Sequence, residues 1–282
     1  GVSDVALYKE VYAPLLRQAI TVPSPDERQA EAGESAAEVA RRAATALEAT
    51  LAARHESIAA LIVEPLVQGA TGMAMHNPAY LRLARALCNR YRVHLIADEI
   101  MVGFGRTGTL FAHEQAGIRP DFLCLSKGLT GGYLPLSAVL TTDDVFAAFY
   151  DDAVTRGFLH SHSYTGNPLA CRAALATLDI FAEDDVLARN RRFAEHFTAL
   201  LAPLANHPRA RHFRHRGMIW AADIATDDPD FRPRFYRAAL QREILLRPLG
   251  TTIYFMPPYI LDDAEAALLA ERAVAALDAA LA

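Results

Sequence analysis

Three apolar runs, each ended by charge, constrain this chain more than any other feature. Ile58 to Val63 runs into Glu64, Val93 to Ala97 into Asp98, and Phe122 to Leu125 into Ser126 and Lys127. Such runs read as strands buried on both faces, and the stretches between them carry helical patterns. Ser35-Ala-Ala-Glu38 is a capping box opening an Ala-rich helix to about His55. Asn77-Pro78 opens another, with Leu81, Ala84, Cys88 and Tyr91 on one face. This alternation predicts an α/β fold with a mostly parallel sheet, continued by a strand at Leu136 to Leu140. Ligands bind such sheets beyond the carboxyl ends of the strands, where Glu64, Asp98 and Lys127 all fall.

The pattern changes near residue 185. Phe193, Phe197, Leu200, Leu201 and Leu204 keep helical spacing, Met218 to Ile224 reads as a strand, and a strand-rich piece around Leu245 to Tyr259 precedes a final Ala/Leu helix. Residues 1–185 are therefore expected to form part of a large domain and 186–282 a smaller α+β domain. With 282 residues, 52% of them hydrophobic, the chain can bury a sizeable core. A formal net charge of −5 without a basic run argues against a nucleic-acid partner. No apolar run is long enough to span a bilayer, and the three widely spaced cysteines form no CxxC pair, which suggests a reducing, cytoplasmic setting without structural zinc.

An aspartate ending an apolar strand is costly unless a cation meets it. Three partners are conceivable for Asp98: a nucleotide-bound magnesium, a dinucleotide and a protonated ring nitrogen. A nucleotide-bound magnesium would make Val93–Glu99 a Walker-B-like segment, yet no GxxxxGK[ST] accompanies it. Gly103-Phe-Gly105-Arg-Thr-Gly108 satisfies GxGxxG, but Asp98 and Glu99 stand where they would repel a pyrophosphate, and no long helix opens after the glycines. The third is a protonated pyridine nitrogen, which an anion keeps charged so that the ring can draw electrons from a carbanion. This third reading also accounts for Lys127, since pyridoxal phosphate needs a lysine for its aldehyde as well as an aspartate for its nitrogen. Ile100 could then pack against one ring face. Glu64 either hydrogen-bonds within the site or caps the turn before Pro65. The histidines of His160-Ser-His162 lack a carboxylate or cysteine at ligand spacing, so no metal is expected there.

IADEIMVGFGRTG, DFLCLSKGLTGG and YTGNPLAC, in this order, resemble the class III, fold-type I aminotransferases. GVSDVALYK, LIVEPLVQGATGM and RPLG followed by IYFMPPY narrow the resemblance to the adenosylmethionine-8-amino-7-oxononanoate branch of that family, which makes diaminopelargonic acid for biotin. The resemblance implies pyridoxal 5′-phosphate bound to Lys127 as a Schiff base, with Lys127 afterwards shuttling the proton, and Asp98 on the ring nitrogen. It implies Arg247 on the substrate carboxylate, Tyr254 bordering the pocket, and Ser163 offering its hydroxyl to the cofactor phosphate of a neighbouring subunit in a homodimer. S-adenosylmethionine and 8-amino-7-oxononanoate would be the substrates. Another class III enzyme, acting on an ω-amino acid or diamine, is the alternative. The family's Gly-Ser phosphate loop and ring-stacking aromatic residue are not found before Glu64. The chain is thus expected to be N-terminally truncated, either the retained part of an active enzyme or a catalytically inactive fragment.

Overall fold

The computed structural model describes residues 2–3 and 5–282; Gly1 and Asp4 of the GVSDVALYK motif lie outside the described residues. Helix α1 (Ala36–Arg54) begins at Ser35, whose hydroxyl accepts from the N–H of Glu38 while Glu38 Oε2 accepts from the N–H of Ser35 at 2.7 Å. Both halves of the capping box are therefore formed. Its buried face, Ala40, Ala43, Ala44, Leu47 and Leu51, packs on Leu81, Ala84 and Cys88 of α2 (Pro78–Tyr91). Strand β1 (Ala60–Val63) lies between these helices in sequence and pairs in parallel with β2 (His94–Asp98), which pairs in parallel with β3 (Phe122–Leu125). Asp121 pins the start of β3: its Oδ2 accepts from the N–H of Leu95 at 2.6 Å and from Arg85 at 2.7 Å.

The fourth strand corrects the sequence expectation. β4 (Ala138–Thr141) starts two residues later than expected and runs antiparallel to β3. A parallel return needs a crossover of a dozen or more residues, usually a helix. The link here holds only a short 3₁₀ turn, Lys127–Thr130, so the chain folds straight back.

Helices α3 (Pro168–Glu183) and α4 (Val186–Leu200) lead into a second sheet. Its strands β5 (Ala210–Arg216) and β6 (Ile219–Ile224) are followed by α5 (Phe231–Leu240), β7 (Thr252–Phe255) and α6 (Asp263–Leu281). All pairing in this sheet is antiparallel. The expected strand-rich stretch from Leu245 to Tyr259 contains only β7, because Pro248, Pro257 and Pro258 interrupt the ladder on both sides. Alternate residues of β6 serve two cores. Trp220 and Ala222 face α4 and α6, whereas Ile219 and Ala221 join the cluster built on α1 and α2.

An ion network ties the second sheet to the segments around Arg28 and Met73. Asp223 accepts from Arg214 at 2.9 Å and from Thr252 Oγ1 at 2.8 Å, with Arg28 at 3.4 Å, while Arg214 Nε also donates to the carbonyl of Met73 at 2.9 Å. Burial raises the Asp223 carboxyl, but these donors and charges outweigh it and leave the group below its ordinary value. Its contribution to stability is therefore complete above the unfolded carboxylate value of about 3.9 and is lost as pH falls through the lower folded value. Arg214→Ala is expected to cost about 2–4 kcal/mol in urea unfolding at neutral pH and to flatten the acid slope of stability.

Candidate active site

Parallel pairing sets the carboxyl ends of β1, β2 and β3 along one rim. Val63 lies opposite Ala97, and Asp98 opposite Cys124. With neighbouring strands about 4.8 Å apart, Glu64, Asp98 and the Ser126–Lys127 turn come together, although roughly thirty residues separate each from the next in sequence. Each polar group stands where its strand stops, so that the apolar body of the strand stays in the core.

Lys127 is exposed, and its φ of +45° is in the left-handed region that a side chain normally avoids. No hydrogen bond or ion pair among the described residues engages its ammonium. Ser126 Oγ donates to the carbonyl of Leu136 at 2.7 Å and Thr130 Oγ1 to that of Leu134 at 2.6 Å, so the turn is held on both sides of the lysine. Strain kept in place by such bonds is a mark of functional positions.

Asp98 is half-buried, and its Oδ1 accepts from the N–H of Ile100 at 3.1 Å. Its Oδ2 receives no hydrogen bond among the described residues. The Ile100 side chain is half-exposed and belongs to none of the three core clusters, which leaves its branched face available at the rim. Glu99 has a different fate. Fully buried, it accepts from the N–H groups of Ala112 at 2.6 Å and His113 at 2.8 Å, and contacts His113 Nδ1 at 2.7 Å. Asp98 ends the strand and Glu99 follows it, and the two carboxylates part: one stands at the rim while the other closes a loop.

The glycine-rich loop is a joint. Arg106 donates to the carbonyl of Pro257 at 2.6 Å and stacks 4.4 Å above the Tyr259 ring, whose hydroxyl donates to the carbonyl of Phe104 at 2.7 Å. Met218 N–H donates to the carbonyl of Arg106 at 2.8 Å. The loop thus ties the first sheet to the second, and its backbone is occupied by protein contacts.

Arg247 and Tyr254 line a cleft of about 660 Å³ with Tyr236, Leu246, Met256 and Leu269. Arg247 is exposed and makes no hydrogen bond or ion pair among the described residues, while Tyr254, Met256 and Met101 pack on one core cluster. Ser163 is exposed, and no contact joins it to Lys127 or Asp98 within the chain. Sequence reasoning left Glu64 unassigned and missed the Arg106–Tyr259 joint. The position of Glu64 at a strand end was a signal for the first; nothing in the sequence signalled the second.

The rim fits the ring and aldehyde ends of the expected cofactor, because it offers a carboxylate oxygen and an amine that no hydrogen bond among the described residues engages. Comparison with known proteins agrees. A family model described as aminotransferase class-III matches residues 1–277. The adenosylmethionine-8-amino-7-oxononanoate aminotransferase of Helicobacter pylori is 42% identical over 98% of this chain and 62% of its own length. Its counterpart from Synechococcus elongatus is 40% identical over 94% of this chain and 62% of its own length. Among solved structures, the ω-transaminase from Pseudomonas jessenii in complex with PMP superposes with a TM-score of 0.84 at 29% identity, covering 92% of this chain and 60% of that one. The chain spans about six-tenths of the length of these relatives. From the three strand-end groups and from these matches, the chain belongs to the class-III aminotransferase family.

Proposed function

We propose that the chain carries the catalytic part of an enzyme that moves an amino group from S-adenosylmethionine to 8-amino-7-oxononanoate, giving 7,8-diaminononanoate for biotin synthesis. The observation that carries this reading is the meeting of Lys127 and Asp98 at one rim, in a chain about 40% identical to proteins named for that reaction. The family depends on pyridoxal phosphate, which when bound supplies an electron sink for the carbanion that amino transfer requires.

The residues divide the work as follows. Asp98 would hold the ring nitrogen's proton, for which its Oδ2 is unused among the described residues. Lys127 Nζ takes the proton from the amine-bearing carbon of the donor and gives one to the carbonyl carbon of the acceptor. Its strained, pinned backbone holds the amine at the rim. Ile100 would cover one face of the ring and exclude water from it. Arg247 grips the substrate carboxylate with its planar fork, and Tyr254 borders the acceptor's apolar chain in the cleft. Ser163 completes the phosphate site of a second copy, so the working unit is a homodimer; its exposed hydroxyl, with no hydrogen bond among the described residues, supports this. A cytoplasmic setting suits the three free cysteines.

The test is to supply the chain with pyridoxal phosphate, 8-amino-7-oxononanoate and S-adenosylmethionine and to detect 7,8-diaminononanoate by mass spectrometry. Product with S-adenosylmethionine is expected. Product only with an ω-amino acid donor would favour the second reading, to which the ω-transaminase structures point; no product with any donor would overturn the proposal. Arg247→Ala is expected to raise KM for the acceptor about 10- to 100-fold with kcat little changed, because the guanidinium binds the carboxylate equally well in the ground and transition states.

A further inference from the structure

Glu64 ends β1 as Asp98 ends β2, and parallel pairing of Val63 with Ala97 sets the two carboxyl-bearing residues side by side. Glu64 Oε1 accepts from the N–H of Gly69 at 3.2 Å, which anchors the small hairpin that follows. That anchor needs one oxygen. Oε2 of the same half-buried carboxyl receives no hydrogen bond among the described residues, and the residue follows β1 at the rim where β3 runs into Lys127. A group that only capped the turn after β1 would have no reason to bring a second acceptor beside another carboxylate, where like charges repel.

The electrostatics agree with that placement. Burial raises the Glu64 carboxyl above its ordinary value; the Gly69 N–H opposes this, Asp98 adds to it, and Lys127 pulls the other way. On the backbone side, His76 Nε2 meets the Glu64 carbonyl at 3.3 Å, and burial pushes the imidazole down to about 4, so it stays neutral over the working range. Glu64 therefore interacts electrostatically with two charged groups, Asp98 and Lys127, and both belong to the cofactor site.

We propose that Glu64 is a positioning residue of that site, an acid paired with Asp98 that sets the negative charge met by Lys127 and by the ring. The inference rests on the reading of Lys127 and Asp98 given above. With Glu64 protonated the rim bears one negative charge; as pH rises it ionises and a second charge favours the cationic form of whatever Lys127 carries.

The experiment follows the Lys127-dependent visible band of the chain loaded with pyridoxal phosphate from about pH 6 to about pH 10, the range in which the adduct loses its proton. Removing a neighbouring anion makes that proton leave more easily. Glu64→Gln is therefore expected to lower the midpoint by roughly 0.5–1 pH unit, while Glu64→Asp, which restores the charge, recovers at least half of the shift. Glutamine keeps the acceptor for Gly69, so a purely structural role predicts an unchanged midpoint. An unchanged midpoint in Glu64→Gln overturns the proposal and leaves the cofactor reading standing; a wild-type chain with no Lys127-dependent band overturns both. Should the glutamine variant fail to fold, Glu64→Ala takes its place: the same lowered midpoint is expected, and an unchanged midpoint overturns the proposal.

Discussion

Lys127→Ala is expected to abolish the visible band that the chain forms with pyridoxal phosphate and to slow amino transfer by about 10⁴-fold, the upper range for losing a positioned base, with the loss of covalent attachment added. The change removes an exposed side chain that makes no hydrogen bond among the described residues, so stability has little to lose. It even shortens a residue held at φ +45° without removing the bonds that Ser126 and Thr130 make on either side. The expected combination is a lost band with a melting temperature within about 2 °C of wild type. A variant that kept the band would move the attachment to another lysine and remove the reason for grouping Lys127 with Asp98.

Gly217→Ala is expected to be strongly destabilising although it lies outside the rim. A Cβ at Gly217 would lie within 2.5 Å of the Gly108 nitrogen and 2.7 Å of the Arg106 carbonyl oxygen, and it would clash with the Thr107 carbonyl carbon as well. All three are backbone atoms and cannot swing aside. The residue's φ of +57° adds left-handed strain. Overpacking at about 1–3 kcal/mol and strain at about 1–2 kcal/mol give a loss of roughly 2–5 kcal/mol in thermal or urea unfolding. Gly250 is the control, since its φ is +58° yet a Cβ there meets nothing within 4 Å. Gly250→Ala should cost only the strain, about 1–2 kcal/mol. Equal losses at the two positions would show that the joint between glycine loop and second sheet is not tightly packed.

The parallel core of the first sheet was legible because its strands are apolar on both faces and its helices carry strong start signals, such as Ser35–Glu38 and Asn77-Pro78. The direction of β4 was not. Ala138–Thr141 looks like any apolar strand, and only the absence of a helix after Lys127 decides that it turns back. β5 escaped sequence reading for another reason. Its ARHFRHR carries arginines and histidines where a strand pattern wants apolar residues, and Arg214 points inward because Asp223 and the Met73 carbonyl neutralise and bind it. Hydrophobic periodicity cannot register a buried ion pair. At the site, Lys127 and Asp98 were legible as charges at strand ends. Sequence could not show that Glu99, next to Asp98, turns away to hold residues 112 and 113, because that depends on where a later loop comes to rest.

The central claim is that Lys127, placed at the end of β3 beside Asp98, is where the cofactor attaches. It is tested most directly by loading the chain with pyridoxal phosphate, reducing with borohydride, and mapping the modified peptide by mass spectrometry. The account predicts one phosphopyridoxyl group per chain, on Lys127, and a markedly lower yield in Asp98→Ala. Modification of a different lysine, or an unmodified folded chain, would contradict it.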